Sequence, residues 1–190
     1  MPKPLRAFVA VPLSDAVTVF LLQLQARLQL PGRAIRWVAA KNIHLTLKFL
    51  GDIDPSRVPA VAAQIDAAAG TTAAFSLTAK GVGVFPNLRH ARVLWVGLAG
   101  ELDRLEAIQA TLESGLESVG FKREARSFAA HLTIGRIRRR IDAQTMRALV
   151  EPLTDGASVS FRVDKLELFK SILNASGAEY TLLHTSHLAT

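Results

Sequence analysis

The tripeptide His44-Leu45-Thr46 returns 87 residues later as His131-Leu132-Thr133, each time inside an apolar, strand-like run. Five His and twelve Thr in 190 residues would place His-x-Thr fewer than once by chance. The chain holds it twice, with the same middle residue. On a β-strand, residues i and i+2 project from one face, so each imidazole stands beside a hydroxyl. Two such pairs facing one cleft supply an acid, a base and two hydroxyl donors to a single substrate. A lone His-x-Thr is ordinary strand sequence; the matched pair is what constrains the chain.

The elements around the motifs interleave. Arg6 to Leu13 is β-branched and apolar, a first strand, and Ser14 is placed to cap a helix running to about Leu30, stopped by Pro31-Gly32. A short strand from Ile35 to Val38 precedes the first motif strand, Ile43 to Leu50, which Gly51-Asp52 is expected to end. Asp54-Pro55 opens a second helix to about Ala69. Phe75 to Phe85 and Arg92 to Leu98 read as a strand pair around Pro86-Asn87. The second half repeats the plan. Leu102, Leu105, Ile108, Leu112, Leu116 and Val119 recur at three- and four-residue steps, an amphipathic helix. The second motif follows in Phe128 to Ile137, then a short helix from Ile141 to Leu153 and closing strands Ser158 to Ile172 and Glu179 to Leu188. No proline-rich or low-complexity linker separates the halves. The expected architecture is α+β, with residues 1–190 forming a single two-lobed domain.

Composition narrows the chemistry. With 49% hydrophobic and 21% charged residues the chain reads as globular, and it has no run of about 18 apolar residues that would span a bilayer. The N-terminus lacks a signal-like apolar region. The absence of Cys excludes disulfide and thiol chemistry and is compatible with a cytoplasmic location. A net charge of +7 points to an anionic partner, and the densest basic run, Arg136, Arg138, Arg139 and Arg140, follows the second motif directly. No phosphate-loop, dinucleotide or Gly-x-Ser-x-Gly motif is present.

Imidazole titrates near neutrality, so of His44 and His131 one can hold a proton while the other accepts one. That suits cleavage of a phosphodiester, with Thr46 and Thr133 donating hydrogen bonds to its non-bridging oxygens. His184 and His187 form a His-x-x-His with no Cys or carboxylate close in sequence, which reads as a strand end rather than a metal site. His90 sits in a basic turn, solvated or bordering the cleft. Trp37, Trp95, Phe8 and Phe85 suit a stacking platform for bases, but aromatics in strands are more often core.

Trp37 to Gly51 (WVAAKNIHLTLKFLG) together with His131 to Arg136 (HLTIGR) resembles the 2H phosphoesterase superfamily, and within it the bacterial and archaeal RNA 2′,3′-cyclic phosphodiesterases, also called 2′-5′ RNA ligases. Arg6-Ala-Phe8, Gly83-Val-Phe85-Pro, Arg92 to Trp95, Leu166 to Phe169, Tyr180 and Leu183 extend the likeness nearly end to end. The resemblance implies two pseudo-symmetric lobes of mainly antiparallel sheet, helices packed outside and a central cleft. It implies a metal-independent enzyme that opens 2′,3′-cyclic phosphates on RNA or nucleotides to 2′-phosphomonoesters; no cofactor is expected, and the expected state is a monomer. It makes His44 the proton donor and His131 the proton acceptor, an order the near-symmetric motifs leave open by themselves. It places Thr46, Thr133 and Arg136 on the phosphate and Phe49 against the nucleotide. One departure stands out: the family usually has proline immediately before the second motif His, where this chain has Ala129-Ala130. The competing readings are an enzyme specific for 2′-5′ linkages, since the reverse reaction makes that bond, and a non-catalytic RNA-binding module.

Overall fold

Apolar and β-branched residues over Leu5–Val11 form strand β1, and the Ser14 side chain then accepts from the Val17 N–H to open helix α1, Asp15–Arg27. These and the elements that follow come from a computed structural model that describes residues 3–28, 34–154, 156–174 and 177–189. Pro31-Gly32, the expected stop after α1, lies outside the described residues; the helix itself ends at Arg27. Strand β2 (Ile35–Trp37) leads through a 3-10 turn, Ala40–Asn42, into β3, Leu45–Ile53. Asp54 accepts from the Ser56 N–H and starts the turn into α2, Val58–Gly70. Strands β4 (Phe75–Phe85) and β5 (Val93–Gly100) flank a turn at Leu88–His90. Helix α3 (Leu102–Ser118) precedes β6 (His131–Ile137), α4 (Ala143–Val150), β7 (Ser158–Val163), β8 (Lys165–Asn174) and β9 (Gly177–His187).

The strands make two antiparallel sheets, ordered β3-β1-β8-β9 and β2-β6-β5-β4-β7. Each sheet draws on both halves of the chain: β8 returns to pair with β1 and carries β9 on its far side, while β2 crosses to sit beside β6. The lobes are therefore not the two halves of the sequence. Helices α2 and α3 pack on the first sheet, α1 on β7 of the second, and α4 on the β4–β5 turn. Buried side chains from both sheets and the helices join in one hydrophobic cluster, including Leu45, Leu132, Leu21, Ile65, Leu112 and Met146. No helix among the described residues is long and apolar enough to cross a membrane.

Two expected boundaries move. Gly51, at φ 71°, does not end the first motif strand; it makes a bulge opposite Ala7 and Phe8, after which β3 runs on to Ile53. The expected strand from Ser158 to Ile172 is two strands in different sheets, β7 beside β4 and β8 beside β1, turning at Asp164. The pattern does mark that turn: Val159, Phe161 and Val163 are apolar at odd positions, Leu166 and Leu168 at even ones, and the phase breaks at Asp164-Lys165.

On β4, Gly83 lies across from Trp95 on β5, and a Cβ there would overlap the indole ring. The indole lies flat across the strand because nothing projects beneath it. Gly83→Ala is expected to cost about 1–3 kcal/mol by displacing that ring, read as a lowered urea midpoint; a wild-type midpoint would mean the indole moves aside freely.

Candidate active site

His44 directly precedes β3, and His131 is the first residue of β6. Each ring is held by the backbone carbonyl two residues before it. His131 Nδ1 lies 2.7 Å from the Ala129 carbonyl oxygen, and the His44 ring donates to the Asn42 carbonyl. A carbonyl only accepts, so the His131 Nδ1 carries the proton and Nε2 is left to take or give one. At the second motif, where the resemblance leads to the expectation of proline, Ala130 packs against the core while the Ala129 carbonyl holds the ring.

The register of both motif strands shows a shared device. Thr46 pairs with Ala10 and Lys48 with Val9, so Leu47 is an extra residue in β3. Thr133 pairs with Trp95 and Gly135 with Leu94, so Ile134 is the extra residue in β6. Each strand thus bulges at the residue immediately after its motif Thr. Strict alternation would send Phe49 and Arg136, three residues beyond each Thr, to the opposite face. The bulges return them to the motif face, Phe49 beside Phe8 and Arg136 beside Val93. The same shift turns Leu47 and Lys48 inward together, as it does Ile134 and Gly135.

Around His44 the first sheet builds an aromatic floor. The Phe8 ring stacks on the imidazole at 4.5 Å and 22°, and Tyr180 meets it edge-on at 5.3 Å. Phe8 also touches Phe49, Phe169 and Tyr180, with centroids 5.9, 5.4 and 4.9 Å away. Phe8 is buried while Phe49 is 61% exposed, so the floor runs from core to solvent. In the second sheet the Phe85 ring stands edge-on to His131 at 5.0 Å and beside Trp95 at 5.2 Å. Strands β3 and β6 contact one another, and the Tyr180 phenol, which touches His44, also feels the charges of Arg136 and Arg6. His44 of the first motif and Arg136 beyond the second thus both act on Tyr180. Burial is the larger influence on Tyr180 and raises its pKa, with the two guanidinium groups opposing it.

Burial against this floor lowers the His44 pKa to about 4, with the Asn42 carbonyl bond partly opposing. Above pH 6.5 the ring is neutral in both folded and unfolded chains. Between pH 6.5 and 4 the unfolded chain binds a proton that the folded chain refuses, so stability falls with pH, and the loss is complete below 4 at about 3 kcal/mol. Denaturation at pH 7 and pH 4.5 should show wild type losing more stability than His44→Gln; equal losses would place the ring in a solvated setting.

Of the residues expected at the site, His44, Thr46, Phe49, His131, Thr133 and Arg136 lie on the motif faces of the two sheets. Phe8 and Phe85, which base rates for strand aromatics assign to the core, touch the imidazoles. Arg6 and Tyr180 carry no motif of their own. The sequence signals for them are the likeness of the opening Arg6-Ala-Phe8 and that of the last strand. His184 differs from its expected setting: its Nε2 lies 2.8 Å from Asp66 Oδ1, which also accepts from Ser186, tying β9 to α2. That carboxylate lies 118 residues away in sequence. Among the described residues, no three His, Cys, Asp or Glu side chains gather as a metal cluster.

Comparison with known proteins matches a family model, LigT-like phosphoesterase, to residues 11–95 and again to residues 96–180, one motif in each. A Thermotoga maritima protein named RNA 2′,3′-cyclic phosphodiesterase is 30% identical over 95% of this chain and 94% of its own length. One of the same name from Aeropyrum pernix is 32% identical over 80% of this chain and 86% of its own. Among solved structures, E. coli LigT in complex with 3′-AMP superposes with a TM-score of 0.80 at 25% identity, covering 99% of this chain and all of that one. A Thermus thermophilus protein gives 0.80 at 25% identity over 96% and 97%.

Proposed function

The chain belongs to the LigT-like phosphoesterase family, and on that premise we propose that it hydrolyses 2′,3′-cyclic phosphates on RNA or nucleotide ends to 2′-phosphomonoesters. The observation that carries the reading is the pair of carbonyl-held imidazoles, each at the head of a strand that bulges after its threonine. Relatives named for this activity, and a neighbour complexed with 3′-AMP, support it.

In the proposed reaction the cyclic phosphate sits between the two rings. His131 Nε2 takes a proton from water as the water oxygen bonds to phosphorus, and the P–O3′ bond breaks with His44 giving its proton to O3′. Thr46 and Thr133 donate to the non-bridging oxygens, and Arg136 balances their charge. Phe49, at the exposed end of the aromatic floor, contacts the nucleoside. A neutral His44 in the empty site acquires its proton when the phosphate anion arrives to favour the imidazolium. The acid limb of kcat/KM, which reports the free enzyme, is accordingly expected near pH 4 rather than near 6.5. A limb near 6.5 would mean that the burial seen here does not govern the ring.

The same proposal takes residues 1–190 as one domain, supported by the exchange of strands between sheets and the shared core. It also takes the protein to act as a cytoplasmic monomer without metal. Purified protein with 2′,3′-cyclic AMP and with cyclic-phosphate-ended RNA, each in EDTA, tests the activity: turnover is expected, and tight RNA binding without turnover would turn the reading into a binding module. A nitrophenyl phosphodiester, whose leaving oxygen needs no proton, tests the order of the histidines. His44→Ala should lose far less on that substrate than on the cyclic nucleotide, whereas His131→Ala should lose on both. The opposite pattern reverses the roles.

A further inference from the structure

Beside the cleft, the β4–β5 turn and α4 enclose a second concavity of about 700 Å³. Val84, Leu88 and Val150 give it an apolar floor, and Arg89 and Arg147 stand at its walls. A shallower extension continues past His90 to Arg140. These three arginines and His90 are exposed, and none forms an ion pair among the described residues. The carboxylate that lines it, Asp142, is occupied at the start of α4, where it accepts from the Thr145 N–H at 2.9 Å and from the Thr145 hydroxyl at 2.7 Å. The groove is therefore positive along its rim, and its cations repel one another until an anion enters.

Cations over an apolar floor suit a polymer that alternates phosphates with flat apolar groups better than they suit a free phosphate. The groove also adjoins the cleft. Phe85, whose ring lies 5.0 Å from His131, is two residues from Asn87 on the groove wall, a span of at most about 7 Å. Arg136 on the motif face and Arg140 in the groove are four residues apart, at most about 14 Å.

We propose that this groove holds backbone phosphates of the RNA body leading up to the cyclic end, so that the protein prefers RNA to cyclic mononucleotides. The inference rests on reading the cleft as a site for RNA ends. It is tested with kcat/KM for 2′,3′-cyclic AMP and for a short RNA ended in a cyclic phosphate, in wild type and in the double variant Arg89→Gln, Arg147→Gln. The RNA value is expected to fall at least about fivefold at low salt, and its log–log salt slope to flatten by about 0.7 for each phosphate no longer neutralised. The mononucleotide, with no further phosphate to place, should change less than about twofold on the same grounds. A control double variant of two exposed arginines elsewhere, Arg27→Gln, Arg162→Gln, should alter neither value. Equal changes on RNA and mononucleotide, or an equal loss in the control, would overturn the groove. Failure of wild type to turn over either substrate overturns the cleft reading itself, and the groove with it.

Discussion

His44→Ala and His131→Ala are each expected to lower kcat/KM for 2′,3′-cyclic AMP by about 10²–10⁴-fold, the usual worth of a positioned acid or base. Each ring sits at the head of a strand rather than within it, so neither truncation opens a cavity inside a sheet. His44 stacks on Phe8, and its loss exposes that ring without removing it. The double variant should lose little beyond the worse single one, because an acid without its base no longer has a concerted step to assist. Unchanged circular dichroism alongside the lost rate separates chemistry from folding. Either single variant retaining the wild-type rate would remove that histidine from the mechanism.

The largest effect on stability is expected at Glu113. The bulge at Leu47 turns Lys48 inward, where its ammonium lies 2.8 and 2.6 Å from the two Glu113 carboxylate oxygens and 2.6 Å from the Lys122 carbonyl. Glu113 Oε1 also accepts the Glu124 N–H at 2.7 Å. Both side chains are almost wholly buried, on an α3 stripe that is otherwise Leu105, Ile108, Leu112 and Leu116. Removing one partner strands a buried charge, so Glu113→Ala should cost about 3–5 kcal/mol in chemical denaturation. The paired change Lys48→Met, Glu113→Leu should recover most of that loss, since apolar replacements of a buried pair are often neutral. This node also ties the strand behind His44 to the segment that leads from α3 to His131. A fall in activity that exceeds the stability loss is therefore expected in Glu113→Ala at temperatures where it remains folded. A cost below about 1 kcal/mol would mean that water reaches the pair.

How far the sequence foretells this site depends on what each residue has to do. The histidines and threonines are legible because period-two alternation alone puts them on one face, and a duplicated tripeptide is too rare to ignore. Alternation assigns Phe49 and Arg136 to the wrong face, so Phe49 is reached only through family likeness, and Arg136 through that likeness and the basic run that follows the second motif. A bulge leaves no mark in composition, and Leu47 and Ile134 look like any apolar strand residue. Lys48 is hidden for the same reason: a lysine between Leu47 and Phe49 reads as the solvent side of a strand, and only the register shift buries it. Tyr180 and Arg6 come to the site through β9 and β1 from opposite ends of the chain, a long-range pairing no local pattern specifies. The break at Asp164 is legible only as a change of phase: two strands of the same period meet at Asp164-Lys165, and reading them as one strand overlooks that the apolar positions pass from odd to even.

The most direct measurement is phosphorus NMR of cyclic-phosphate-ended RNA incubated with the wild-type protein in EDTA. The cyclic phosphate resonance should be replaced by that of a 2′-monophosphate alone, and the conversion should stop in His44→Ala and His131→Ala. A 3′-monophosphate product, conversion that needs added metal, or conversion that survives loss of both imidazoles would contradict the two-histidine opening of the ring.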